Sequence, residues 1–356
     1  MGCRDDILSF FLHISDFFRT FAAGMKKQTF IVNFCIFLLV SCSQQQVQIE
    51  HCEQRDGYRV SEVYIPLSAT DSMAAYWLVP DSVPEGGCSA VLLLHDHGAW
   101  FTIGKEKMMK PMQDADSSVK MQADYWVNKC YAGAYVADSL AAHGYAVLVP
   151  DALYWGSRRA PVGDMHVGLD SLKILNKMLK VMQPAFYQTH LNATGQHWFC
   201  TILHDDKAAF HWLQSREEVN PNKIGAAGFS MGAYRAWMLA ASEQAVAWCF
   251  AANWMTTLEA HGGALPNPSA YSMYTPMLDT LDYPEIAAGA ADRPFMLLYG
   301  ANDRLFSLES VEEAVAVIRK IQPETKLQTK MLDATHCFTH ESLELLINFA
   351  DENENN

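Results

Sequence analysis

The sequence has no CxxC pair, no internal repeat and no cluster rich in lysine and arginine. It also has no uninterrupted apolar run of the roughly 20 residues that a membrane-spanning helix needs. Its 26 Lys and Arg stand against 40 Asp and Glu, a net charge of -14. Nucleic-acid binding is disfavoured on that ground, because a phosphate-binding surface needs concentrated positive charge. The nine cysteines follow no regular spacing, so neither a zinc site nor a disulfide framework is signalled. Charged residues are scarce at 19%, which argues against long disordered tracts. Half of the 356 residues are hydrophobic, enough for one substantial core or two modest ones.

The N-terminus differs from the rest. Met25-Lys26-Lys27 precedes an apolar run from Phe30 to Val40, and Ser41-Cys42 follows. A basic start, a short apolar segment and a small residue before a break form the layout of an export signal. Leu39-Val40-Ser41-Cys42 also resembles a bacterial lipobox, in which the cysteine is lipidated and becomes the mature N-terminus. The reading is therefore a signal over 1–41 with Met25 as the preferred start, a tether over 42–58 and a catalytic domain over 59–356. It implies export and a lipid anchor at Cys42 in the bacterial cell envelope, with the lipid as the one membrane contact. A buried helix that happens to end in cysteine is the alternative.

From about Ser89 onward, short apolar runs alternate with helical patterns. The runs are Ala90–His95, Tyr145–Pro150, Lys223–Phe229, Ala245–Asn253, Pro294–Gly300 and Lys326–Leu332. Most are nearly continuous in apolar residues, as expected for strands covered on both faces. Helices are expected at Tyr135–His143, Asp205–Glu218, Met231–Ser242, Leu308–Ile321 and Glu341–Asp351, with Asp205-Asp206 opening the second of these. This alternation predicts an α/β fold with a mostly parallel central sheet and helices on both faces. Tyr58–Pro66 and Met73–Pro80 alternate better and extend the sheet as an antiparallel edge. Three long connections, Ala99–Ala134, Ala152–Leu203 with a helical pattern at Leu172–Met182, and Trp254–Asp292, read either as insertions that wall and partly lid a site or as peripheral packing.

Gly228-Phe229-Ser230-Met231-Gly232 matches G-x-S-x-G between an expected strand and an expected helix. A serine there sits on a tight turn, its hydroxyl pushed out beside a helix N-terminus that favours developing negative charge. Such a serine needs a base that is itself oriented by an acid, and in this arrangement the order is Ser, acid, His. Asp303, in the turn after Pro294–Gly300, is the expected acid; His336, in the loop before the last helix, is the expected base. Asp333 is a rival acid, but it is too close in sequence to His336 to orient the ring from behind. The oxyanion hole is expected from the backbone N–H groups of Met231 and His97, with Gly98 second to His97. His95-Asp96-His97 is weak as a metal site, because no third ligand cluster accompanies it; no metal or cofactor is implied.

His95-Asp96-His97-Gly98, Gly104-Lys105-Glu106-Lys107, Pro150-Asp151 with Trp155-Gly156, and the Ser230 motif together resemble one branch of the α/β-hydrolases. That branch holds bacterial dienelactone-hydrolase-like proteins and proteins termed acetyl xylan esterases, and the similarity covers about residues 59–350. The resemblance implies the α/β-hydrolase fold and a serine esterase acting on small-molecule or carbohydrate esters. Dienelactone hydrolases proper carry cysteine at the nucleophile position, so Ser230 points toward esters and away from dienelactones. A peptidase or amidase on the same triad, or a non-catalytic glycan-binding protein, are the other readings. Asp151 precedes the serine and is expected to bond nearby backbone. Trp155, Trp198 and Trp254 can stack on a sugar ring, with packing as the default.

Overall fold

The structure, a computed structural model, describes residues 48–160, 168–261 and 273–354. The signal segment 1–41 and Cys42 lie outside these residues. In chain order the larger elements are β1 (Gln48–Arg55), β2 (Tyr58–Pro66), β3 (Ser72–Pro80), β4 (Cys88–Leu94), α1 (Ser117–Cys130), α2 (Val136–Ala142) and β5 (Ala146–Pro150). There follow α3 (Leu169–Thr194), α4 (Trp198–Gln214), β6 (Val219–Phe229), α5 (Met231–Ser242), β7 (Trp248–Ala252) and α6 (Tyr283–Ala287). The chain continues through β8 (Phe295–Gly300), α7 (Leu308–Ile321), β9 (Leu327–Leu332) and α8 (His340–Glu354). No helix among the described residues is long and apolar enough to cross a membrane.

One sheet of nine strands runs in the order β1-β2-β3-β5-β4-β6-β7-β8-β9. Pairing is antiparallel from β1 to β5 across β2 and β3, and parallel from β5 to β9. This is the mostly parallel sheet expected from the apolar runs, with helices around it. Strand β4 shows why those runs do not alternate. Ala90, Leu92 and Leu94 enter one core with Phe199, Phe210 and Trp237, while Val91 and Leu93 enter the other with Trp126, Phe250 and Phe349. Both faces are covered, so every position of the strand is buried. Cys249 is plain core, as expected, and the six cysteines of the described residues are free thiols.

Three expectations differ from the structure. Gln48–Arg55, read as part of a tether, pairs with β2 as an edge strand. Helix α4 begins at Trp198, seven residues before the expected start at Asp205. Asp205 and Asp206 do not cap it: they are buried and face arginines, Asp205 with Arg158 at 2.8 Å and Asp206 with Arg235 through two bonds of 2.9 and 2.6 Å. Helix α3 runs well beyond the expected Leu172–Met182 and continues past Pro184, which lacks the N–H its helical partner would use.

The Asp206–Arg235 pair joins α4 to the first turns of α5, with both side chains at most 1% exposed. Removing one partner strands a buried charge, so Asp206→Ala should lower the unfolding free energy by about 3–5 kcal/mol. Urea denaturation reads this directly. The apolar double variant Asp206→Leu/Arg235→Met should recover most of the loss; a double variant as weak as the single would refute the stranded-charge account.

Candidate active site

Ser230 stands between β6 and α5 with φ 55° and ψ -122°, a backbone conformation that L side chains rarely adopt. The turn is held by the Ser230 N–H, which donates to Ala252 O of β7 at 2.8 Å. Its flanking glycines are required by close approach. A Cβ on Gly228 would come within 2.3 Å of the Gly232 backbone, and one on Gly232 within 1.8 Å of Leu94 O. The turn therefore presses against the end of β4, where the His95–Gly98 loop begins.

Asp303 and His336 arrive from the loops after β8 and β9. These two loops are tied together by Ala301 N–H to Leu332 O at 2.8 Å and Asn302 N–H to Ala334 O at 3.0 Å. His336 Nδ1 lies 2.7 Å from Asp303 Oδ2, and Nε2 lies 2.9 Å from Ser230 Oγ. The carboxylate accepts from Nδ1–H, which leaves Nε2 free to accept the serine proton. The His336 ring is held between Phe229 and Phe306, with centroids at 5.1 and 5.9 Å. The structure thus brings Ser230, His336 and Asp303 into one chain of hydrogen bonds. The rival Asp333 is exposed and accepts instead from the Asn302 amide at 2.8 Å.

Asp303 is itself oriented. Its Oδ1 accepts from the N–H groups of Leu305 and Phe306 at 2.8 and 3.3 Å, and its Oδ2 accepts from Asn253 Nδ2 at 3.2 Å. Asn253 follows β7 at φ 56° and was not singled out from the sequence, where an asparagine after an apolar run reads as a turn residue. Burial pushes the Asp303 carboxyl up. The hydrogen bond and charge of His336, with the Leu305 and Asn253 donors, outweigh burial and hold it below its ordinary value.

Met231 is the first residue of α5, so its N–H has no partner within the helix. The His97 N–H has no hydrogen-bond partner among the described residues. Both N–H groups are therefore free to donate, Met231 in the turn after Ser230 and His97 in the loop after β4. The His97 ring is buried against Trp155 and Phe101, and burial, aided by the nearby Lys107 charge, lowers its pKa to about 3. Nδ1 of this neutral ring accepts the Ala99 N–H at 3.0 Å, so the proton sits on Nε2. The Gln183 side-chain amide lies 2.6 Å from Nε2 and must present its oxygen there; Tyr187 bonds the same amide. Gln183 and Tyr187 belong to α3, so that insertion supports the His97 ring of the loop after β4. Its signal in the sequence was a helical pattern with no chemistry attached.

The remaining expectations concern neighbours of the site. Asp151 is fully buried and accepts from Lys105 N–H at 2.7 Å and from Ser157 N–H at 3.1 Å, the backbone-bonding role expected of it. Lys105 Nζ lies 3.1 Å from its other oxygen. Trp155, Trp198 and Trp254 are all at most 3% exposed and serve as packing. His95 bonds backbone at both ring nitrogens. Among the described residues no group of three or more His, Cys, Asp or Glu is placed to hold a metal ion.

A sequence model of the dienelactone hydrolase family matches residues 118–355. The chain is similar to YtaP of Bacillus subtilis (strain 168), named provisionally as a hydrolase, at 27% identity over 75% of this chain and 77% of that one. Among solved structures it resembles acetyl xylan esterase 1 from Thermoanaerobacterium sp. JW/SL YS485, with TM-score 0.55 and 13% identity over 86% of this chain and 87% of that one. It also resembles a glucuronoyl esterase from Solibacter usitatus, with TM-score 0.55 and 11% identity over 86% of each chain. At these identities the structural likeness shows the α/β-hydrolase fold.

The Asp303–His336 bond has a consequence in pH. A carboxylate whose pKa is lowered by folding adds stability that is full above the ordinary aspartate value and lost as pH falls through the lower folded value. Carboxyl NMR should find Asp303 below the ordinary value in the native protein. In His336→Ala it should rise, with stability lost above the ordinary aspartate value and a shallower fall in stability toward acid pH; an unmoved Asp303 would contradict the account.

Proposed function

The chain belongs to the dienelactone hydrolase family, and on that premise we propose that it is a serine hydrolase cleaving carboxylic esters through an acyl-enzyme. The observation that carries this reading is the run Ser230 Oγ, His336, Asp303, bonded at 2.9 and 2.7 Å, with the serine on a positive-φ turn. As Ser230 Oγ attacks the ester carbonyl, His336 Nε2 takes its proton. The carbonyl oxygen becomes an oxyanion, received by the Met231 and His97 N–H groups. Collapse of this intermediate expels the alcohol, which takes the proton from His336. Water then repeats the sequence: it gives a proton to His336, attacks the acyl carbonyl and releases the acid with Ser230 restored. Asp303 holds the tautomer and stabilises the imidazolium. No step needs a metal or cofactor.

Ser230 in place of the cysteine of dienelactone hydrolases proper supports esters as substrates. Carbohydrate deacetylation is the finer form of the proposal and rests on the resemblance noted in the sequence. The bonded geometry weighs against a non-catalytic glycan-binding protein, since an idle site has no physical need to align all three groups. Lipid anchoring at Cys42 in the cell envelope completes the proposal; Cys42→Ala should release the protein from membranes, and unchanged retention would count against it.

Ser230→Ala should abolish labelling by a fluorophosphonate and lower p-nitrophenyl acetate turnover by at least about 10⁴-fold. Turnover retained in that variant would sink the assignment. Acetyl esters should be cleaved far faster than aminoacyl amides, and the reverse preference would favour a peptidase.

A further inference from the structure

The carbonyl of Asp96 accepts two hydrogen bonds, from Lys107 Nζ at 2.9 Å and from His95 Nδ1 at 2.9 Å. The direction of the second follows from the other ring nitrogen. Nε2 of His95 accepts the Ala152 N–H at 3.1 Å, and burial together with Lys107 keeps the ring neutral, so its proton is on Nδ1. The carbonyl of His97 accepts from Lys107 Nζ at 3.1 Å and from Trp155 Nε1 at 3.1 Å, with a longer third bond from the Trp100 N–H at 3.4 Å. A carbonyl oxygen has two lone pairs, so both oxygens are saturated.

Each of these carbonyls shares a peptide unit with an N–H of the loop. The Asp96 C=O is joined to the His97 N–H, and the His97 C=O to the Gly98 N–H. No peptide bond here is cis, so each N–H points opposite to its carbonyl. The carbonyls face a fully buried ammonium, and the N–H groups therefore face outward, where Gly98 is exposed. A donor on the carbonyl also polarises its peptide and strengthens the N–H on the other side.

We propose that Lys107 is a positioning residue for the oxyanion hole: by clamping the Asp96 and His97 carbonyls it fixes and strengthens the His97 N–H, which with that of Met231 receives the oxyanion, and the Gly98 N–H beside it. The proposal rests on the serine-hydrolase reading. Lys107 is itself set by the Asp96 carboxylate at 3.6 Å and by the Trp126 and Trp155 rings, with Nζ 5.2 and 5.9 Å from their centroids. Asp96 is fixed in turn by Trp126 Nε1 at 3.1 Å and Tyr131 OH at 2.6 Å. A buried ion pair is weak evidence for stability, so its place behind the loop is the property that distinguishes it.

The test compares Lys107→Met, and the charge-free Asp96→Asn/Lys107→Met in case the single variant strands Asp96 and fails to fold. Three quantities are read for p-nitrophenyl acetate hydrolysis: kcat per titrated active site, KM, and the Ki of an alkyl boronic acid, whose serine adduct mimics the tetrahedral anion. Loss of a whole oxyanion donor lowers kcat by about 10²–10³-fold, so losing its clamp should cost roughly 10–100-fold. Boronate affinity should fall in parallel while KM stays within about threefold. A folded variant with near-normal kcat per site overturns the proposal, as does a loss of kcat with boronate affinity unchanged. A wild-type protein silent toward ester and fluorophosphonate overturns the hydrolase reading instead, which separates the two failures.

Discussion

At the Ser230 turn, Gly232 lies so near the end of β4 that a Cβ would reach 1.8 Å from Leu94 O. That contact is the constraint on which the rest of the site depends. It lets the first turn of α5 sit directly against the end of β4, where the His95–Gly98 loop begins; in the proposed mechanism N–H groups from these two parts of the chain share one substrate oxygen. It also forces the serine into a backbone conformation that no local preference supports. The strain persists because the surroundings over-determine it: parallel strands on both sides, a bond from Ser230 N–H to β7, and the Asp206–Arg235 pair that ties α5 to α4.

Around this contact the protein places charge where a hydrophobic core would be expected. Lys107 with Asp96, Lys105 with Asp151, and Arg158 with Asp205 are all buried ion pairs. Each joins a segment near the site to another element, and both Asp151 oxygens accept backbone N–H groups as well. Desolvation makes such pairs poor sources of stability, but one displaced partner is costly, so they define a single arrangement sharply. The catalytic loops can then be short and irregular without being loose.

Much of this was legible in the sequence, for a reason rooted in the chemistry. The strands of a sheet covered on both faces write themselves as continuous apolar runs, and a strained nucleophile turn needs small residues at fixed offsets, so β4 to β9 and Ser230 could be read. Asp303 and His336 followed from their order after later strands. Features set by long-range partners were not legible. Asp205-Asp206 carry the same local signature whether they cap a helix or meet arginines in its interior, and only the fold decides. Asn253, Gln183 and Lys107 act through groups about 50, 86 and 11 residues away, or on backbone atoms, which leaves no local pattern. The edge strand β1 is polar and takes its order from β2 alone.

The two halves of the site differ in how tightly they are bound to the scaffold, and this bears on what can vary. Ser230, Asp303 and His336 come from short links between a strand and the helix that follows it, where a shift of one residue would break the bonded chain. The oxyanion loop is instead supported by insertions: Lys107 from the connection after β4, Trp155 from that after β5, and Gln183 from α3. In the proposed ester hydrolysis, a change at Lys107, Trp155 or Gln183 therefore acts on the His97 loop from behind, whereas a change in the strand-end turns acts on the bonded chain directly.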